Sequence, residues 1–549
     1  MNFLVVAQLF SILGSGLLAQ PIVELMRSPS KAVWLPTSLN IGAAALNPTL
    51  SQAVDYWGRR WILIATTASG LVGAVIVSRA QNIATVLAGF CLIAFMFGGQ
   101  AASFAVVGEI LPRKYRALGQ ASLTVSQSVA GISGVLFCGA LVQNGGAEDY
   151  RIYFYVVSGL FALATAAIAI LYNPPLRELQ TSLTHLEKLQ SLDWIGILTF
   201  TTGAVLFSVG LAWSDNPYSW KDAHILSTFI VGLVLLMLFS LYEWRFKKDG
   251  IAHHGLFRDK NYIVALTSAF QEGIAVFTFN SYLAREGIVL FGLGFFQASS
   301  RYAMVYVYAI VLSFVSAWYI TRFKALKGPL VLSQLALLLM FVLMATVKPT
   351  TSESVLWGYP LLGGLGLGCI TTAIFVAAQL SITGELIAIG TGLVAAARAL
   401  GGLVGLVVNN AIFNSAVQRH VPTGVAAAVS PLGLDPAQLG NFILALGTAN
   451  PEAIAAIPGV TPEMIGAATQ ALRQAYSIAF RNVWVAAACF TVPGVIKAFN
   501  AHIDAPVEAK LVKLQADVEN RTSDEQARPR EEKQALHMPL TSPSKQVNS

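Results

Sequence analysis

Two ionisable residues interrupt long apolar stretches of this chain, and they are the residues best placed to do chemistry. Glu272 lies within Phe270-Gln271-Glu272-Gly273, and Arg398 lies in another apolar stretch. Hydrocarbon accepts such side chains only at a cost of several kcal/mol unless they line a cavity or meet a partner. Glu272 could therefore take up and release a proton, and Arg398 could oppose an anionic substrate or an acid on another helix. Two alternatives stay open: Glu272 faces a water-filled vestibule without titrating, or Arg398 is a structural latch near a helix end.

A second set of charged residues lies in two short loops between apolar runs. Asp55-Tyr56-Trp57-Gly58-Arg59-Arg60-Trp61 is so tight that the flanking helices must be antiparallel, and Asp55 can accept hydrogen bonds from the amides at a helix start. In the next such loop, Glu109 and Arg116 are two helical turns apart and share a face unless Pro112 ends the helix between them. The loops predict an ion-pair latch that shuts one membrane face, the alternative being ordinary basic turns. Its members would be Asp55, Gly58, Arg59, Arg60, Glu109, Arg113 and Arg116.

Uncharged polar residues within the apolar runs form a third set. Each could line a solute cavity or, as such residues often do, hydrogen-bond between helices. Tyr302 and Tyr306 are four residues apart and share a helix face; we expect Tyr302 to belong to the aromatic belt at the membrane interface and leave Tyr306 open. The possible cavity residues are Gln100, Gln127, Asn280, Tyr306, Gln379 and Asn409.

The elements that carry these residues are membrane-spanning helices. The 549 residues are 55% hydrophobic and 11% charged, whereas soluble domains carry about 25% charged residues. Apolar runs of about 20 residues recur along the chain and predict about fourteen spans. The first run lacks the basic start of a signal peptide, so we read it as a span. No catalytic constellation, nucleotide-binding loop or metal-ligand spacing stands out, and the four cysteines fall inside apolar runs, so we expect neither an enzyme nor a primary pump.

Charge placement predicts orientation. The formal net charge is +7, and the basic residues lie in short loops, which favours a bias toward the cytoplasmic face over nucleic-acid binding. About fifteen Lys and Arg lie in the loops of one side against about seven on the other. An even number of spans then places both termini in the cytosol.

Five segments follow along the chain. Beyond the last span the composition is too polar and charged for a buried core, and we expect disorder there. Within the long loop, Asp435-Pro436 and Thr461-Pro462 are typical helix starts and predict short amphipathic helices on the outer face. The segments are a six-helix bundle (1–172), a cytoplasmic linker (173–192), two inserted spans with a loop (193–260), a second six-helix bundle (261–502) with a long extracellular loop (416–481), and a cytoplasmic tail (503–549).

Several stretches resemble fungal major facilitator superfamily transporters of the trichothecene efflux and siderophore transporter group. The matching stretches are 53–61, 109–120, Leu192-Asp193-Trp194-Ile195-Gly196, Gly210-Leu211-Ala212-Trp213, Arg398-Ala399-Leu400-Gly401-Gly402 and Pro458-Gly459-Val460-Thr461-Pro462. The resemblance implies an all-α polytopic membrane protein with the major facilitator fold: two six-helix bundles plus two additional central helices.

The resemblance also implies function. It implies proton-coupled efflux of a small fungal metabolite, toxin or drug by a monomer in the cell membrane, with the proton gradient as driving force and no cofactor. Phe90 stands where related antiporters carry an arginine, and Val135 stands where their glycine-rich motif carries a proline. Glycines beside Val135 still allow close helix approach. Ferric-siderophore uptake and a membrane sensor without transport stay open as alternatives.

Overall fold

The described part of the chain consists of helices and their connections. The computed structural model describes residues 1–499 apart from short gaps at 29–30, 145, 147, 176–177, 182–183, 214–221, 248–249, 384–385, 435–437, 448–456 and 458. Every regular element in that part of the chain is helical. Hydrocarbon cannot hydrogen-bond a backbone, so a chain this apolar must satisfy its amides internally, and helices do so. The predicted all-α membrane fold is confirmed.

The first half of the chain contains eight helices. α1 and α2 are bent by 56° relative to each other, and α5 and α6 are separated at Gly99 within one predicted span. Asn82 starts α5 by accepting a hydrogen bond from the Thr85 amide at 2.8 Å. The helices are α1 Asn2–Leu17, α2 Ala19–Leu25, α3 Trp34–Trp57, α4 Arg59–Arg79, α5 Ile83–Gly98, α6 Gln100–Ile110, α7 Arg116–Asn144 and α8 Tyr150–Leu171.

Two short linker helices and two inserted spans follow. The linker helices are α9 Glu178–Thr181 and α10 His185–Ser191, and the spans are α11 Trp194–Trp213 and α12 Ala223–Arg245. α11 packs along α12 on one side and against α3 on the other. The inserted pair is thus attached to the bundle chiefly through α3.

The second half repeats the arrangement with longer helices. A π-helix, Phe279–Leu283, interrupts its first span, which continues to Phe291. The helices are α13 Lys260–Thr278, α14 Ala284–Phe291, α15 Phe295–Phe323, α16 Lys327–Met344, α17 Val355–Ser381, α18 Ile387–Val429, α19 Leu439–Gly447 and α20 Pro462–Phe499.

The fourteen predicted spans correspond to fourteen helical segments. Twelve stretches of the described residues are long and apolar enough to cross a membrane, and the bent pair α1–α2 adds a thirteenth. The remaining segment, α3, is 24 residues long, but buried polar residues such as Asn40, Asn47 and Gln52 lower its hydropathy. The length of α3 is sufficient to cross a membrane, whereas its hydropathy is not, so the prediction that it is a span stays a prediction.

The stretch 416–481 differs from the predicted loop, because helices continue into both of its ends. α18 runs on to Val429, and its 43 residues extend about 64 Å, well beyond the roughly 30 Å of a hydrocarbon core. Val421, Val425 and Val429 keep one face buried against Met464 of α20, so the projecting ends stabilise each other. The predicted helix start at Thr461 is confirmed, since its hydroxyl accepts a hydrogen bond from the Met464 amide at 3.3 Å. The prediction that this helix is short is wrong, because α20 runs from Pro462 to Phe499 and includes the last span.

Two predictions, a helix start in the long loop and a disordered tail, concern residues that the structure does not describe. Asp435-Pro436 and the tail beyond residue 499 lie outside the described residues.

The two halves meet along two helix pairs. α3 packs against α18, and α7 packs against α15 over much of their lengths. Corresponding joints of the halves share an unusual backbone: Gly58, between α3 and α4, has φ of 87°, and Lys324, after α15, has φ of 53°. We call the end of the bundle that carries these joints the basic end, and the other the opposite end.

Candidate functional site

An ion-pair cluster braces the basic end of the first half. Gly58 takes a positive φ that favours glycine, so α4 begins directly after α3 and Arg59 is its first residue. The Arg59 guanidinium donates to both carboxylate oxygens of Glu109 at 2.5 Å and to Asp55 at 3.4 Å. All three side chains are at least 88% buried. The cluster therefore ties together the ends of α3, α4 and α6.

The other predicted latch residues have different contacts. Arg60 donates to the Ala169 carbonyl at 2.7 Å and to Asn173 at 2.9 Å, at the end of α8. Arg116 donates to the Gln379 carbonyl of α17 at 3.4 Å. Of the two readings left open for Glu109 and Arg116, the structure matches the one in which the helix ends between them: α6 ends at Ile110 before Pro112, and a new helix begins at Arg116. The side chain of Arg113 lies outside the described residues.

Gln379 links the two halves at the basic end. Its Nε2 donates to the Phe104 carbonyl at 3.1 Å, and Gln120 Nε2 donates to its Oε1 at 3.3 Å. Phe104 also stacks on Phe375 of α17 with ring centroids 4.1 Å apart. Closure between the halves at this end thus depends on Gln379 and a ring stack, whereas the Arg59 cluster lies within the first half.

The opposite end is also closed. The Phe296 amide, at the start of α15, donates to Gln143 Oε1 of α7 at 2.9 Å, and Gly139 leaves the room that Ser299 occupies. Asn280 in the π-helix lies against Gly16 of α1. Its buried amide has no hydrogen-bond partner within the described part of the chain.

Between these contacts lie two small cavities, of about 20 Å³ and about 40 Å³. A water molecule needs about 10–15 Å³, so the cavities are large enough for a few waters and too small for a metabolite. Both halves of the chain line them, and both cavities contact Leu9, Gln127, Val276 and Arg398. Five of the predicted site residues come together here: Glu272, Arg398, Gln100, Gln127 and Tyr306.

Glu272 and Arg398 form an ion pair in the smaller cavity. Arg398 Nη2 lies 3.1 Å from Glu272 Oε1, and the carboxylate is fully buried. The Thr371 hydroxyl of α17 donates to the same oxygen at 2.5 Å. Of the readings left open, this geometry matches an arginine that opposes an acid on another helix.

Two glycines allow α13 and α18 to approach closely enough for this pair. A Cβ on Gly273 would overlap the Arg398 carbonyl, and a Cβ on Gly401 would overlap the Phe270 carbonyl. Both obstacles are backbone atoms, which cannot move aside as a flexible side chain would. The short interhelical distance is therefore a condition for the ion pair.

The remaining predicted site residues lie elsewhere. Asn409 donates to Thr278 at 2.8 Å and joins α18 to α13, and Gln379 and Asn280 occupy the two ends described above. The belt position predicted for Tyr302 is wrong: the ring is 1% exposed, and its hydroxyl lies 2.9 Å from that of Tyr306. A small residue on α7, Gly131, leaves room for the Tyr306 ring and so brings this tyrosine pair inside.

Sequence reasoning missed Thr371 and Asn40, which also line the cavities. A hydroxyl or amide within an apolar span only weakly indicates a cavity, because such a group more often forms a hydrogen bond to the backbone of its own helix. Asn40 forms such a bond, since its Nδ2 donates to the Pro36 carbonyl at 3.1 Å. Phe90 and Val135, which stand where related antiporters carry an arginine and a proline, are both buried. The Phe90 ring packs edge-on against Phe154 with ring centroids 5.6 Å apart, and Val135 is part of the hydrophobic core.

The fold and the buried site define a class of protein. The fold is similar to that of the human organic anion transporter MFSD10 (TETRAN), with a TM-score of 0.50 and 12% identity, covering 89% of this chain and 98% of that one. This likeness shows the fold, in which two helical halves enclose a small polar cavity.

The particular family follows from the sequence. The model of the fungal trichothecene efflux pump (TRI12) family matches residues 2–505, and the chain belongs to this family. A trichothecene efflux pump of Fusarium sporotrichioides is 23% identical over 90% of this chain and 83% of its own. The transporter astH of Aspergillus oryzae is 22% identical over 86% of this chain and 81% of its own. Membership in this family supports efflux and does not favour siderophore uptake or a sensor role.

Proposed function

We propose that the protein exports a small, largely apolar fungal metabolite in exchange for protons, and that Glu272 carries the proton. The observation that supports this most is the Glu272–Arg398 ion pair on the wall of a cavity lined by both halves. Relatives named as trichothecene and metabolite transporters point to the same substrate class.

The chemistry of coupling follows from charge. With Glu272 ionised, Arg398 is paired and the cavity is electrically balanced. Protonation of Glu272 removes its negative charge and leaves the Arg398 guanidinium as an uncompensated positive charge beside the cavity. A largely apolar solute binds less well next to that charge than next to the neutral ion pair. A substrate at Arg398 and a proton on Glu272 therefore lower each other's affinity, and this negative coupling is the thermodynamic requirement for exchange.

The cavity walls fit a solute with an apolar body and a few oxygen acceptors. Leu39, Phe97 and Phe277 supply apolar surface, whereas Gln100 and Gln127 supply amide donors. Alternating access consists of opening the Gln379 contact at the basic end and the Gln143–Phe296 contact at the opposite end in turn.

The protein functions in this proposal as a monomer in the cell membrane, with no cofactor and no nucleic-acid partner. The basic end faces the cytosol, because Lys and Arg concentrate in the loops on that side. Both termini then lie in the cytosol, and the projecting ends of α18 and α20 lie outside the cell.

The test is transport by proteoliposomes with an imposed pH gradient. The substrate is chosen by a resistance screen in a yeast strain without its own exporters, with trichothecenes tested first. We expect gradient-driven accumulation by the wild type and none by Glu272→Gln, with both proteins inserted equally.

The matched control is Glu286→Gln. Glu286 is an equally buried carboxylate on the same span, hydrogen-bonded to Trp484 Nε1 at 2.8 Å, and it lines neither cavity. We expect it to retain accumulation. A Glu272→Gln carrier that accumulates substrate as the wild type does would refute the assignment.

A further inference from the structure

Asp193 and Glu243 form a pair of buried carboxyl groups on the inserted helices, away from both cavities. Asp193 immediately precedes α11, and Glu243 lies near the end of α12, so both are at the basic end. Each residue is 3% exposed, and the two carboxyl groups lie close enough to interact electrostatically. The transport mechanism proposed above does not use them.

The carboxyl oxygens of Asp193 and Glu243 lack one hydrogen-bond donor. Asp193 Oδ1 accepts hydrogen bonds from the Gly196 amide and the Tyr242 hydroxyl, each at 3.1 Å. Glu243 Oε1 accepts one from the Ile251 amide at 2.8 Å. The other two oxygens, Asp193 Oδ2 and Glu243 Oε2, are buried and receive no donor from the described residues. Two carboxyl groups this close satisfy this geometry when one of them carries a proton.

Two glycines leave the space that the pair occupies. A Cβ on Gly196 would overlap Asp193 Oδ2, and a Cβ on Gly250 would overlap both oxygens of Glu243. Gly196 ends the stretch Leu192–Gly196, one of those in which the sequence resembles the transporter family. The pair is thus enclosed by backbone on both sides.

Ionisable groups on the neighbouring elements have other partners. His254 Nε2 lies 2.9 Å from the Glu243 carbonyl, His253 Nδ1 accepts from the Gly255 amide, and Lys188 donates to the Gln180 carbonyl. On α3, Asp55 pairs with Arg59. Among the described residues no cationic side chain lies within ion-pair distance of Asp193 or Glu243.

We propose that Asp193 and Glu243 share a single proton and act as a pH-sensitive latch at the basic end. The proton holds the carboxyl groups together, and Glu243 in turn holds Ile251, which is fully buried among apolar residues of α11 and α12. When the pH at the basic end rises, the proton leaves to water and two buried negative charges face each other. The pair separates, and the Ile251 segment is released from α12. The latch stands whether or not Glu272 couples transport.

The Ile251 amide provides a direct readout, because it donates to Glu243. We would measure hydrogen–deuterium exchange of the full chain in lipid nanodiscs from about pH 6 to about pH 9 and correct for the intrinsic base catalysis of exchange. Separated carboxyl groups titrate near their ordinary pKa, so above about pH 6 the open state lacks the proton that the closed pair holds. In the wild type, protection of the peptide containing Ile251 should therefore fall by up to about tenfold per pH unit from about pH 6 until the closed pair also loses its proton, and it should be constant above that pH. A peptide from the middle of α16 should show no such fall.

Two variants separate the proton from the packing. In Asp193→Asn and in Glu243→Gln an amide N–H replaces the shared proton, so protection should be independent of pH. In Gly250→Ala protection should fall at every pH, because the added methyl group displaces the carboxyl group.

Three outcomes would overturn the latch. They are constant wild-type protection across the whole pH range, the same pH-dependent fall in both amide variants, and protection that follows Na⁺ or Mg²⁺ concentration at fixed pH. The wild-type measurement is decisive even if a variant fails to fold.

Discussion

Removing the Arg59 side chain should destabilise the protein far more than removing its neighbour Arg60. Arg59 is 95% buried between Asp55 and Glu109, and its loss removes a buried cation from two buried acids. Breaking a buried pair in this way costs about 3–5 kcal/mol. Arg60 is half-buried and donates to a carbonyl and an amide oxygen, so Arg60→Ala should cost only about 1 kcal/mol. The folded fraction should therefore fall by roughly two further orders of magnitude in Arg59→Ala.

The assay is reversible unfolding in mixed detergent micelles, followed by tryptophan fluorescence. A double-mutant cycle with Glu109→Gln isolates the Arg59–Glu109 interaction from other effects of each substitution. We expect a coupling free energy above about 1 kcal/mol, since the contact is bidentate and buried. Equal unfolding free energies for Arg59→Ala and Arg60→Ala, or no coupling with Glu109, would refute the role of this cluster as a brace.

Further predictions concern the cavity and the closure at the basic end. Thr371→Val removes the hydroxyl donor to Glu272 and should lower the initial transport rate about tenfold, which corresponds to about 1.5 kcal/mol. The control is Thr267→Val on α13, whose hydroxyl donates only to carbonyls of its own helix. This variant should leave the initial transport rate unchanged. Gly401→Val should separate α13 from α18 and abolish transport, with a melting temperature lowered in the purified protein; transport at the wild-type rate would contradict the close approach. Gln379→Ala should open the basic end more often, so that a cysteine introduced at Thr372 reacts faster with a maleimide than it does in the parent protein.

The sequence was sufficient to predict the ionisable positions but not their partners. Glu272 and Arg398 stood out because hydrocarbon excludes charge, a property of each residue alone. Their pairing depends on the rotation of α13 against α18, which Gly273 and Gly401 permit through contacts with distant carbonyls. One sequence does not give helix rotation. The partner of Glu109 was likewise unpredictable, because Arg59 lies on another helix, 50 residues earlier in the sequence.

The burial of the projecting part of α18 and of Tyr302 was not predicted either. The projecting part of α18 alternates buried valines such as Val421 and Val425 with exposed polar residues, so a window that averages hydropathy does not detect it. Tyr302 was assigned to the membrane interface from its residue type, yet it lies inside, where its hydroxyl meets that of Tyr306, and the Tyr306 ring occupies the room left by Gly131 on α7. In both cases tertiary packing decided the structure, whereas the sequence pattern recorded only average polarity.

The most direct test of the central claim is the number of protons released when substrate binds. Purified protein in weakly buffered detergent is mixed with saturating substrate from the resistance screen, and a pH dye records the change. Competition between a proton on Glu272 and a substrate at Arg398 predicts proton release by the wild type and by Glu286→Gln, and none by Glu272→Gln. Equal release by Glu272→Gln and the wild type would contradict the account, because the proton would then come from another group.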